Sequence, residues 1–189
     1  MTRTELLSAV ADLMHRDDLT ASIPTFVMLA EAKLNRHLRV RQMEMVLPVT
    51  PIVDNVITLD ADVADVKLLW VPGYEGTPLK PQALDAVVSA GTQGLPTLYA
   101  RRGASDLYFN GAGDVQGVVY QKLPALSGSN LTNWLIDEAP DVYLYGTLVQ
   151  AAIYTKDDQT AYAEQYMNAL NDVASGENRY TGPLVARAR

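Results

Sequence analysis

The stretch 131-LTNWLIDEAPDVYLYGTLVQAAIY-154 decides how this chain is read. It opens as a polar turn with Trp134, passes Asp137, expected to cap a helix, and places Pro140 in that helix's first turn, where a missing N–H costs nothing. Beyond Pro140 the polar face all but disappears. Val142, Leu144, Tyr145, Leu148, Val149, Ala152 and Ile153 cover too much of the circumference for a helix lying on a surface, so this helix must be surrounded. Two surroundings satisfy that demand. It is either the central helix of its own domain or a helix covered in part by a second copy of the chain. Trp134, Tyr143, Tyr145, Tyr154, Tyr162 and Tyr166 are the candidate packing residues, because tyrosine brings apolar area with a polar tip that tolerates a wet interface.

Working outward, the chain's two ends read as helical. Thr2-Arg3-Thr4-Glu5 has the spacing of a capping box, and Leu6, Leu7, Val10, Leu13 and Met14 recur at three and four. Pro24 suits the first turn of a second helix, with Val27, Ala30, Leu34 and Leu38 along one face. A last helix is expected from a cap at Asp157 or Asp158, with Tyr162, Tyr166, Ala169, Leu170 and Val173 as its stripe and Gly176 as its stop. Between these ends the pattern shortens. MEMVLPVT (43–50), NVITLD (55–60), LPTLYARRG (95–103), DLYFNG (106–111) and VQGVVYQKLP (115–124) read as strands, with Pro48 and Pro51 at edges or bends, and VKLLWVPGYEGTPL (66–79) as another strand followed by turns. Asn110-Gly111 is a tight-turn signal. A brief helix fits Pro81 to Ala90, closed by Gly91.

The expected class is therefore α+β: a helical bundle formed by both chain ends, an inserted antiparallel β region and an extended C-terminal arm. In numbers, one domain spans 1–174, with helices near 3–15, 24–39, 140–155 and 158–174 and a β-rich insertion near 43–125. The arm is 175–189, which has no period and carries Arg179, Arg187 and Arg189 against Glu177.

Composition narrows the chemistry. The net charge of −7 argues against a protein whose main task is gripping phosphate backbones, though not against one that DNA passes. With no cysteine, disulfides, thiolate zinc sites and cysteine nucleophiles are excluded. No basic-then-apolar leader opens the chain, and no apolar run approaches the ~20 residues that span a bilayer, so no membrane role is expected.

Catalytic candidates are few. His15 and His37 stand alone, without a ligand or nucleophile at motif spacing. Asp60, Asp62 and Asp65 hint at a calcium loop but lack its glycine and its bidentate Glu, so a turn between strands is expected. Gly111-Ala-Gly113 begins a dinucleotide fingerprint without the helix that should follow. Asp137 and Glu138 could be imagined as the acid pair of a cell-wall hydrolase, but neighbours at a helix start point apart and suit the dipole. Lys33, Arg36, Arg39 and Arg41 gather near a helix C-terminus, where cations are favoured without any nucleic acid. No catalytic residue, cofactor or metal is expected.

Two blocks then carry a resemblance. LPALSGSNLTNWLIDEAPDVYLYGTLVQAAIYTKDD (123–158), with its Pro124-Ala-Leu-Ser127, Asn133-Trp134-Leu135 and Pro140-Asp141-x-Tyr143-Leu144-Tyr145-Gly146, resembles the C-terminal signature of phage head–tail adaptor, or head-completion, proteins. These include tail tubular protein A and the tail accessory factor of short-tailed phages. IPTFVMLAEAKLNRHLRVRQMEM (23–45) is similar to that family's other recurring block. The resemblance implies a structural virion protein that forms a ring of typically about twelve copies beneath the portal, repeating one contact around an axis. Its partners would be the portal protein, the tail or next connector protein, further copies of itself, and double-stranded DNA passing without specific binding. Its place would be the portal vertex of a particle assembled in a bacterial cytoplasm. It also implies that the C-terminal extension reaches the portal, which here would involve Arg179, Tyr180, Pro183, Leu184, Val185, Arg187 and Arg189. The alternative is a virion-associated cell-wall hydrolase, or an adaptor and hydrolase combined.

Overall fold

The computed structural model describes residues 1–92 and 94–178. The fold is α+β, and the chain divides into two compact units: Met1–Gln42 with Leu123–Arg189, and Met43–Lys122.

The first unit is helical. Helix α1 (Arg3–Met14) starts at a complete capping box, the Thr2 hydroxyl accepting from the Glu5 amide while the Glu5 carboxylate takes the Thr2 amide. It buries Leu6 and Val10 and leaves Leu13 of the expected stripe exposed. His15 ends it in the left-handed region, at φ 50°. Helix α2 (Ile23–His37) has Pro24 in its first turn and buries Val27, Ala30, Glu31 and Leu34.

A short helix, α4 (Trp134–Glu138), precedes α5 (Pro140–Thr155). The cap here is not the expected one. Asn133 caps α4 by accepting from the Ile136 amide at 3.1 Å, and Asp137 lies in the body of α4. Ala139, the residue before α5, gives that helix no side-chain cap. Helix α5 packs against α1, α2 and α4, and against α6 (Thr160–Asn178), so the surrounded helix is the central helix of its own unit. Asp158 accepts from the Thr160 amide at 2.9 Å at the start of α6. That helix runs through Gly176, the residue expected to end it, to Asn178. One glycine costs a helix only ~1 kcal/mol, too little to stop it.

The second unit holds two sheets. Strands β1 (Glu44–Pro51), β7 (Asp114–Gln121) and β3 (Val63–Trp70) form the first, in the order β1-β7-β3 and antiparallel throughout. Strands β2 (Val56–Thr58), β6 (Asp106–Phe109), β5 (Leu98–Arg102) and β4 (Lys80–Pro81) form the second, in the order β2-β6-β5-β4. The β4–β5 pair is parallel, so the region expected to be antiparallel is mixed. Both sheets feed one core that includes Ile57, Leu69, Leu107, Phe109, Val115 and Val119.

Pro48 and Pro51 sit on β1, an edge strand, and its register shifts between Leu47 and Thr50. An edge strand with an interrupted register is where proline is tolerated. In the central strand, a Cβ added at Gly117 would lie 2.3 Å from the Leu68 carbonyl, so only glycine fits. Helix α3 (Leu84–Ser89) packs against β5 and buries Val87 alone. The Asn110-Gly111 pair makes no hairpin, since β6 and β7 belong to different sheets. The Asn110 carboxamide instead accepts from the amides of Thr97 and Leu98, at 2.9 and 2.8 Å, fastening the start of β5.

Candidate functional site

The two sequence blocks that carry the resemblance meet in the helical unit through buried polar bonds. Glu31 and Asn35 are four residues apart on α2 and therefore share a face. The Leu126 amide donates to Glu31 Oε1 at 2.8 Å and the Leu123 amide donates to Asn35 Oδ1 at 2.8 Å. The Tyr143 hydroxyl, reaching from α5, donates to the same Glu31 oxygen at 3.1 Å. It accepts in turn from Asn133 Nδ2 at 2.7 Å, and that nitrogen also donates to the Pro124 carbonyl at 2.9 Å. Thus α2, the 123–133 segment, α4 and α5 are tied through two carboxamides, one carboxylate and one phenol.

Burial sets the electrostatics of this seam. Glu31 is 6% exposed. Loss of water lifts its carboxyl above the ordinary value of 4.5, against the opposing pull of the Leu126 amide, the Tyr143 hydroxyl and the charge of Arg3. Tyr143 is wholly buried, and desolvation holds its phenol far above the ordinary tyrosine value. Such groups stay neutral or paired. The arrangement positions backbone and offers no reacting group to a substrate.

The sequence-predicted packing residues fall into three environments. Tyr143 is buried in the seam. Trp134, Tyr145, Tyr162 and Tyr166 are half-buried, and the Tyr166 ring covers Gly146, where an added Cβ would lie 3.0 Å from its Cε2. Tyr154 is exposed, with its ring centroid 5.3 Å from that of Phe26. Trp134 also lines a cleft of about 350 Å³ with Glu138, Asp141, Asp172 and Val173. The expected portal-binding residues Arg179, Tyr180, Pro183, Leu184, Val185, Arg187 and Arg189 lie outside the described residues.

The residues weighed for chemistry are scattered. Asp137 and Glu138 are both exposed on α4, Glu138 taking a 3.3 Å bond from Gln42, without the apolar surroundings that a general-acid carboxyl needs. His15 and His37 are exposed at the ends of α1 and α2. Among the described residues no group of His, Asp and Glu could hold a metal ion, and no helix is long and apolar enough to cross a membrane. Two residues of the basic run serve α2. Arg39 donates to the carbonyls of Asn35 and Leu38, at 2.9 and 2.6 Å, and so closes the helix's carbonyl end, while Arg36 donates to that of Ala32 at 3.2 Å, one turn back.

The family model of the SU10 adaptor protein matches residues 1–187, nearly the whole chain and both blocks joined by the Glu31–Tyr143 seam. The chain belongs to that family. It is a phage structural adaptor, a virion component that associates with other head or tail proteins. No individually curated protein matches the chain.

Reading from residues alone misses the seam. Glu31 and Asn35 look like the polar face of an amphipathic helix, and Asn133 like part of a loop. The usable signal is their position: Glu31 and Asn35 stand at i and i+4 inside one recurring block, and Asn133 stands immediately before Trp134 in the other.

Proposed function

We propose that this SU10-type adaptor forms a ring at the portal vertex, joining the portal to the tail and extending the channel through which DNA leaves the capsid. The observation that carries this reading is the family match along residues 1–187. Its physics is consistent with the chain. A conduit must not hold DNA, and duplex DNA carries a charge about every 1.7 Å of axis. A subunit of net charge −7, repeated around that axis, weakens adhesion to such a polyanion. The polar seam ties α2, α4 and α5 together within the helical unit. We assign residues 179–189, with Arg179, Arg187 and Arg189, to the portal contact, and no catalytic step to any residue.

The test is a reconstruction of the particle together with binding of the purified protein to its portal. Density for this chain in a ring directly beneath the portal is expected, and removal of 179–189 should weaken portal binding at least tenfold. Location elsewhere in the particle would overturn the reading, and undiminished binding after the truncation would overturn the assignment of the arm.

A further inference from the structure

The β unit carries two apolar patches that its own core does not use. The first surrounds α3. Leu84 and Val88 are four residues apart, hence on one helix face, and both are exposed, Val88 at 54%; Leu95 in the following loop is exposed as well. Residues 81–100 contain a single charged residue, Asp85, in a chain that is 20% charged. The second patch lies on the other sheet. Val46, Val118 and Leu68 are direct register partners across β1, β7 and β3, and so form one row. The alternate positions Met45, Val119 and Leu69 belong to the core or pack against it, so the row faces outward, with Val46 63% exposed. The Glu44–Lys67 ion pair lies beside it.

We propose that these patches are the two halves of one head-to-tail contact between copies of this chain, the α3 face of one copy seated on the Val46–Val118–Leu68 row of the next. Charge selects the place. Copies that each carry −7 repel, and they approach at least cost where the surface carries almost no charge, which is where α3 stands. The patches differ from one another, so the contact is heterologous and repeats from copy to copy instead of closing as a two-fold dimer. Pro48 and Pro51 deny β1 the regular ladder that strand addition requires, which leaves a face-to-face contact. The inference rests on the ring reading above and supplies it with a contact.

The chain has no cysteine, so an introduced pair reports without background. The full-length double variant Leu68→Cys/Val88→Cys, concentrated and mildly oxidised, should give a ladder of covalent multimers on a non-reducing gel, while each single variant should give none. Because circular dichroism and the unfolding midpoint report folding separately, a misfolded variant is recognised. In that event native mass spectrometry decides the same question through Val88→Lys, expected to lower multimer content by at least tenfold, and its rescue by Leu68→Glu in the same chain. Dimers formed as readily by one single variant would show a two-fold contact and overturn the proposal. Multimers without the 68–88 crosslink would overturn this contact and leave the ring standing. Concentrated protein without multimers would overturn the contact, while the particle reconstruction decides the ring independently.

Discussion

Glu31 has the most consequence of any single residue here, because it is a carboxyl buried where two donors converge. Burial raises its folded value above 4.5, so the folded protein holds this proton more tightly than the unfolded chain does. Its contribution to stability is therefore fully present below pH 4.5 and is lost as pH rises through the raised value. Glu31→Gln keeps an acceptor for the Leu126 amide and removes the titration. The stability of this variant relative to the wild type should thus increase between pH 4 and 7.5 (about the range over which a raised carboxyl titrates), read as urea midpoints across that range. A gap that stays constant with pH would contradict the assignment. Thr147 offers the opposite case. It is wholly buried on α5, and among the described residues its hydroxyl has no hydrogen-bond partner. Thr147→Val should stabilise the protein by about 1 kcal/mol, measured by thermal or urea unfolding, since an unpaired buried hydroxyl costs that much or more. Neither residue declared itself in the sequence. Burial of a polar side chain depends on what arrives from 95 residues away, as Leu126 does for Glu31, and periodicity carries no such information.

At the scale of elements, Gly117 tests how tightly the β1-β7-β3 sheet is built. A methyl group there meets the Leu68 carbonyl and the Leu69 side chain, and the carbonyl is backbone that cannot rotate away. Gly117→Ala should cost about 3 kcal/mol, in the upper range for overpacking, with the loss read as a lowered urea midpoint. Elements with strong local chemistry were legible beforehand. The Thr2–Glu5 box, Pro24 and the prolines on β1 each specify their own geometry, and the structure uses them so. Elements set by weaker or longer-range terms were not. Asp137 is as good a cap by type as Asn133, and only the buried bonds of Asn133 to Pro124 and Tyr143 select between them. Strand β4 has two residues and no pattern of its own. It exists because the Lys80 amide meets the Thr97 carbonyl and the Gln82 amide meets that of Tyr99, at 3.0 and 2.9 Å.

For the molecule as a whole, the α+β class followed from the change of period near residue 43 and its reversal near 125, visible without any partner. What the sequence left open was the meaning of the apolar helix. Both a central helix and one covered by a second copy fit its composition, and α1, α2, α4 and α6 packed against α5 make it a central helix. The β unit has a core drawn entirely from its own residues, Ile57 to Val119. A fragment of residues 43–122 should therefore fold by itself and unfold in one cooperative transition, observed by tryptophan fluorescence of Trp70 and by calorimetry. A fragment without a cooperative transition would mean that this core is not sufficient.

The tie between Asn35 and the Leu123 amide has a mechanical meaning. The chain leaves the helical unit after α2 and returns to it at Leu123, fastened to that same helix. Tension applied through α1 and α6 is consequently borne by the helices, and the inserted sheets lie off the load path until α2 lets go.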